Sequence, residues 1–240
     1  MKTDQVYVKK AAAGNREQAG AAIEALLASL PAAAGLSSQS RVLLKPNLLS
    51  KNAPERAFTT HPDVVYGVVR ALQRRGVTEI MLADSPGGIY TPAAMQDVYK
   101  ASGLAAVCEE TGVQLYSACE SAPKEGPGLL VGSFNLIQPV LERDFIINLP
   151  KLKTHVLTGM SGAVKNLFGC IPGLQKAEFH ARFPQRERFC NMLVDVCETV
   201  QADIHIVDGL LAMEGDGPGG GQPREAGLLL AGENPYTMDL

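Results

Sequence analysis

The amino-acid sequence predicts an α/β domain with a mainly parallel sheet and helices on both faces. Two features carry that expectation. Short apolar runs of strand type alternate with amphipathic helical stretches along most of the chain, and polar residues of ligand-binding kinds follow one predicted strand after another. The 240 residues, 46% of them hydrophobic, suffice for one large core, so residues 1–240 are read as a single domain with an excursion at 120–140.

The elements follow in order. Ala19–Leu30 carries Ile23, Leu26, Leu27 and Leu30 at helical spacing and is stopped by Pro31, with Gly35 beyond. Arg41–Leu44 is a short strand-type run. Pro62–Arg75 places Val64, Val65, Val68, Val69 and Leu72 on one helical face, and Gly76 ends it. Glu79–Ala83 has the composition of a buried strand, and Thr91-Pro92 supplies a cap and a first residue for a helix running to Ala101. Such alternation implies parallel strands joined by right-handed crossovers. Residues 120–140, with three prolines and three glycines, break the pattern. It resumes with a strand at Asp144–Leu149, a short helix at Gly162–Phe168, a loop at Lys176–Pro184, a helix at Arg186–Val200 and strands at Ile204–Val207 and Leu228–Ala231. A doubly wound sheet ordinarily covers such a last strand with a helix, so the chain is expected to be C-terminally truncated.

Composition narrows the function. Lys and Arg number 22 against 25 Asp and Glu, a net charge of −3, so no overall basic field gathers nucleic acid, and with no Trp and 5% aromatics base-stacking surfaces are scarce. No window approaches the roughly 18 uninterrupted apolar residues of a spanning helix. The opening MKTDQVYVKK lacks the apolar centre of a secretion signal, and a cytoplasmic, membrane-free protein is expected. Five cysteines without a C-x-x-C pair are read as reduced thiols and exclude iron–sulfur cluster ligands within the chain.

In open α/β sheets ligands bind outside the carboxyl ends of the strands. Lys45-Pro46-Asn47 follows the first such strand, Asp84-Ser85-Pro86-Gly87-Gly88 the second, Lys151, Lys153, Thr154 and His155 the third, and Asp208 the fourth. Lys151, Lys153 and Lys165, with backbone N–H groups around Gly159-Met160-Ser161-Gly162 at a helix start, would cradle a carboxylate or phosphate. Asp84 and Asp208 either form turns or, with Glu214 and Asp216, hold a hard cation such as Mg²⁺. His61, just before Pro62 at a helix start, is kept neutral by the helix dipole and suits a base, a metal ligand or a cap. His155 ends a strand and His180 sits beside Arg182 in the 176–184 loop, both within reach of the crevice, whereas His205 is read as a structural mid-strand histidine. Gly215 to Gly220 satisfies G-x-G-x-x-G only formally, since no helix pattern follows. It is read as a lid over the crevice. No P-loop, G-x-S-x-G or H-E-x-x-H occurs.

Lys45-Pro46-Asn47, Thr60-His61-Pro62, Asp84-Ser85-Pro86-Gly87, Asn148-Leu149-Pro150-Lys151-Leu152-Lys153-Thr154-His155, Ser161-Gly162-Ala163-Val164-Lys165-Asn166 and Gly215-Asp216-Gly217-Pro218 together resemble domain-of-unknown-function family 362, over roughly residues 40–240. That resemblance implies association with an iron–sulfur redox module or partner outside this chain. Lys153-Thr154-His155, Gly159-Met160-Ser161-Gly162, Lys165, Pro172-Gly173 and His180 are also similar to the central motif of the nickel-pincer lactate racemases. This second resemblance implies Lys165 as the tether of the pincer, His180 as the nickel ligand and His155 with His61 as an acid/base pair. Asn166 and Leu167 depart from that family's pattern.

The sequence thus points to a crevice that binds a small anionic substrate or cofactor through Lys45, Asn47, Lys153, Lys165, Ser161 and Gly162. His155 and His61 are the candidate acid/base residues, and His180, Asp84 and Asp208 the candidate metal ligands. The rival readings are a nickel-pincer racemase or epimerase and a non-enzymatic module that docks an iron–sulfur redox partner.

Overall fold

A computed structural model describes residues 3–240. Its elements run β1 (Tyr7–Lys10), α1 (Arg16–Ala28), β2 (Arg41–Pro46), α2 (Pro62–Arg74), β3 (Glu79–Leu82), α3 (Pro92–Ala101), α4 (Leu104–Thr111), β4 (Gln114–Leu115), β5 (Ser121–Glu125), β6 (Ser133–Ile137), α5 (Gln138–Glu142), β7 (Phe145–Leu149), β8 (Lys151–His155), β9 (Gly159–Met160), α6 (Ala163–Asn166), α7 (Gln175–Arg182), α8 (Arg186–Val200), β10 (Ile204–Glu214), β11 (Gln222–Gly232) and α9 (Pro235–Asp239). The main sheet has the order β1-β11-β10-β7-β2-β3-β4. The ladders from β10 through β7, β2 and β3 to β4 are parallel, and those of β11 with β10 and β1 are antiparallel.

The pleat of each central strand explains two cores. Val42 and Leu44 of β2 and Ile147 and Leu149 of β7 face the layer built by α1, α2, α3 and α4, while Leu43 and Ile146 face α8 and β6 on the other side. Helix α2 begins where the His61 side chain accepts a hydrogen bond from the Asp63 N–H, with Pro62 as first helical residue, and α1 begins where Asn15 accepts from the Gln18 N–H. A Cβ at Gly67 of α2 would lie 2.6 Å from Ile23 and 3.2 Å from the Gly20 backbone, so this glycine sets how closely α2 approaches α1.

The strand–helix alternation read from the sequence is present, and the differences are local. The segment expected as a loop at 176–184 is largely helix α7, whose apolar contacts come from Phe179 packing on Phe134 and Phe168. The 120–140 excursion is a β5–β6 hairpin followed by α5, and it packs Phe134, Leu136 and Ile137 into the second core. The two C-terminal strands are far longer than the apolar runs that announced them. Beyond those runs β10 and β11 continue as an antiparallel hairpin with its turn at Gly215 to Gly221, and Gln222-Pro223-Arg224-Glu225, exposed throughout and without apolar alternation, gave no strand signal. No helix among the described residues is long and apolar enough to cross a membrane.

Candidate anion-binding cavity

The carboxyl ends of the parallel strands open into a cavity of about 310 Å³, walled by the loops after β2 and β3, the end of β8, the segment from Ser161 to Gly173, helix α7 and Pro218 of the β10–β11 turn. Asn47, Asp84, Lys153, His155, Ser161, Lys165 and His180 all line it. His61, Asp208, Lys151 and Gly162 do not, and Lys45 lies beneath its floor, bonded to Asp84.

Two buried ion pairs build the strand ends. Lys45 Nζ donates to Asp84 Oδ1 at 2.7 Å and to the Pro46 carbonyl at 2.9 Å, while Asp84 also accepts from the Leu48 N–H (2.8 Å) and the Ser85 N–H (2.9 Å). Lys151 Nζ donates to Asp208 Oδ2 at 2.8 Å, and Asp208 accepts from the His61 N–H (2.6 Å) and the Leu210 N–H (3.1 Å). All four side chains are fully buried or nearly so. A carboxylate so engaged has little capacity left for a cation. The candidate metal set therefore does not assemble: Asp84 and Asp208 belong to separate ion pairs and His180 lies on α7. Among the described residues no group of three or more His, Cys, Asp and Glu side chains could hold a metal ion.

His61 is likewise spent on structure, its Nδ1 accepting from the Asp63 N–H at 3.2 Å, with burial and the Lys151 cation lowering its pKa. His155 and His61 do not share the cavity, so the acid/base pair expected from the sequence is not formed there. The cavity offers Lys165, His155 and His180 without His61, and the residues do not complete the set that the nickel-pincer resemblance implies.

The helix start expected to cradle an anion already holds one. The Asp239 carboxylate of α9 accepts from the Ala163 and Val164 N–H groups of α6, and a Cβ at Gly162 would overlap that carboxylate. Gly162 thus makes room for Asp239 rather than for a ligand, and the first turn of α6 is unavailable to one.

What remains for a ligand is cationic. Lys153, Lys165 and Lys176 all reach the cavity wall, and among the described residues none is ion-paired with a carboxylate. Lys153 Nζ donates to the Phe58 carbonyl at 2.8 Å, and Lys176 Nζ donates to Ser85 Oγ (3.2 Å) and to the Ile171 carbonyl. Burial, reinforced by neighbouring lysines, pushes Lys153 down to about 7, Lys165 to about 8 and Lys176 to about 7. The same environment takes His155 down to about 4, first by burial and then by Lys165 and Lys153, so it is neutral at pH 7 rather than titrating near neutrality. Its Nδ1 accepts from the Leu157 N–H (3.2 Å) and the Thr158 N–H (3.4 Å), which leaves the ring proton on Nε2. His180 stacks on Phe189 with centroids 4.4 Å apart and meets Phe168 edge-on.

Lys176 was missed from sequence: it opens the segment read as a loop, and no motif singled it out as His180 was in the same segment. An amide chain behind the cavity was missed as well. Asn148 Nδ2 donates to the Ala163 carbonyl, Asn166 Nδ2 donates to Asn148 Oδ1 and to the Pro46 carbonyl, and Asn47 Nδ2 donates to Asn166 Oδ1. The two backbone carbonyls can only accept, so they fix the orientation of all three amides. The turn read as a lid is tied to β8: the Val156 N–H donates to the Gly217 carbonyl at 3.0 Å and the Gly217 N–H to Thr154 Oγ1 at 3.3 Å.

Comparison with known proteins gives four findings. The family model described as a domain of unknown function, DUF362, matches residues 42–240. A thylakoid-associated protein of Synechocystis is 39% identical over 209 residues, 83% of this chain and 60% of the relative, so the chain spans about 60% of that protein's length. Among solved structures, a Thermotoga maritima protein aligns with TM-score 0.53 at 15% identity over 90% of this chain and 55% of the other, a likeness of fold. The lactate racemase apoprotein of Thermoanaerobacterium thermosaccharolyticum aligns with TM-score 0.49 at 11% identity, over 88% and 52% of the two chains.

Proposed function

The chain belongs to domain-of-unknown-function family 362, and from that premise we propose that it binds a small anionic substrate or cofactor in the cavity at the carboxyl ends of its strands. One observation carries this reading: Lys153, Lys165 and Lys176 line a single cavity and none of them is ion-paired among the described residues, while Asp84, the carboxylate at the same wall, is engaged by Lys45. Three cations held largely out of water beside a single, already engaged carboxylate are costly, and a bound carboxylate or phosphate offsets that cost. Ser85 Oγ, the Ser161 hydroxyl and the His155 Nε2–H are neutral groups at the same wall that orient the ligand. His155 acts as a hydrogen-bond donor, with Lys153 the group whose proton exchanges near neutral pH.

The test is thermal unfolding with inorganic phosphate or malonate against chloride at matched ionic strength. Saturable stabilisation at pH 6.5, smaller at pH 9 where the three lysines are largely neutral, and weakened in Lys165→Ala, is the expected result. Equal melting temperatures in phosphate, malonate and chloride at pH 6.5 would overturn the reading. The same proposal places the ligand in the aqueous cytoplasm, and fractionation of the native host's cells weighs that against the thylakoid association of the Synechocystis relative.

A further inference from the structure

Lys165 differs from the other two lysines of the cavity. Lys153 Nζ is anchored on the Phe58 carbonyl and Lys176 Nζ on Ser85 and Ile171, but among the described residues Lys165 Nζ has neither a hydrogen-bond acceptor nor an ion-pair partner. It lies 5.4 Å from the centroid of the Phe168 ring, partly buried at the cavity wall. An ammonium so placed has a π face and little else to stabilise it, while the neutral amine keeps its lone pair directed at no protein donor.

We propose that Lys165 is a nucleophile that forms an imine with a small carbonyl compound carrying a carboxylate or phosphate, the anion being held by Lys153 and Lys176. The proposal rests on the anion-binding reading of the cavity. In the step, Lys165 Nζ attacks the carbonyl carbon and a C–N bond forms. The C–O bond then breaks, and the oxygen leaves as water with the two hydrogens of the amine. The balance needs no oxidant or reductant. The cavity has the volume for a carbonyl acid of a few carbons beside the amine. Burial favours the reactive form: with Nζ near 8 against an ordinary 10.5, the free-amine fraction at pH 7.5 is on the order of a hundredfold that of an exposed lysine.

The experiment uses the full chain, pyruvate as carbonyl probe and sodium cyanoborohydride to reduce any imine, read by intact mass and peptide mapping. One carboxyethyl group per chain is expected, on Lys165, forming at least roughly tenfold faster than on the exposed Lys51 and slowed by inorganic phosphate. Lys165→Arg keeps the charge and should abolish the label while phosphate still raises the melting temperature. The wild-type map and the phosphate competition do not depend on that variant folding. Label distributed over exposed lysines and unchanged by phosphate refutes the imine. Phosphate stabilisation with no label refutes the imine and leaves the anion site standing, whereas absence of both refutes the anion reading itself.

Discussion

Replacing Lys153 by Met should make the protein more stable at neutral pH. Lys153 is 3% exposed, its pKa is lowered from 10.5 to about 7, and burial is the largest cause. A lowering from 10.5 to about 7, at about 1.4 kcal/mol per tenfold change in proton affinity, corresponds to about 5 kcal/mol of penalty for the charged form, and about 4 kcal/mol of it applies at pH 7. Met fills a similar volume without charge but leaves the Phe58 carbonyl without its 2.8 Å donor, a loss of about 1–3 kcal/mol. The net expectation is a gain of about 2 kcal/mol at pH 7. The sign with pH follows from linkage: between about 7 and 10.5 the unfolded chain holds the proton and the folded chain has shed it, so wild-type stability rises with pH through that window. The Met variant lacks this term, so its advantage is largest below pH 7 and vanishes or reverses near pH 10. Urea denaturation of both proteins at pH 6, 7, 8.5 and 10 measures it. A variant less stable than wild type by the same amount at every pH would refute the claim that the site stores an unneutralised buried cation.

Other expectations concern the scaffold. A Cβ at Gly169 would overlap both Asp84 Oδ1 and Lys45 Nζ, so Gly169→Ala should break that buried ion pair and cost about 3–5 kcal/mol in urea unfolding, while Gly20→Ala, with nothing within 4 Å of its Cβ, should gain about 0.5–1 kcal/mol in the interior of α1. Asp239→Ala removes the acceptor shared by the Ala163 and Val164 N–H groups, and a loss of about 1–2 kcal/mol is expected by thermal unfolding, with no recovery on adding phosphate. Nitrogen-15 spectra of the His155 ring should show one neutral tautomer, protonated at Nε2, from pH 6 to pH 8. A titration midpoint inside that range would contradict the environment described for it.

The central sheet was legible because its strands are apolar on both faces and its helices carry wide apolar stripes, a pattern that local sequence displays directly. Helix α7 was not, since its residues are mostly polar and it is held by Phe179 meeting Phe134 and Phe168 from distant segments. The edge at which the candidate residues gather was also legible: Asn47, Lys153, His155, Ser161, Lys165 and His180 line one cavity at the carboxyl ends of the parallel strands. The roles of individual residues were not. Nothing local distinguishes Asp84 and Asp208, which neutralise Lys45 and Lys151, from carboxylates free to bind a metal, and only the fold reveals which lysines have partners. The helix start at Gly162 has the right local chemistry for an anion and receives one from residue 239, a contact spanning 76 positions that no sequence window contains.

The two buried ion pairs have a bearing on how the sheet assembles. Each joins residues far apart in the chain, 39 positions for Lys45 with Asp84 and 57 for Lys151 with Asp208, and each carboxylate simultaneously captures the N–H of a loop leading toward the next helix. Half of such a pair inside a partly assembled sheet is an uncompensated charge in an apolar setting, which disfavours intermediates in which only some strands have docked. Assembly of the strand ends is thereby made close to all-or-none, and the cavity resting on them exists only in chains that have completed the sheet.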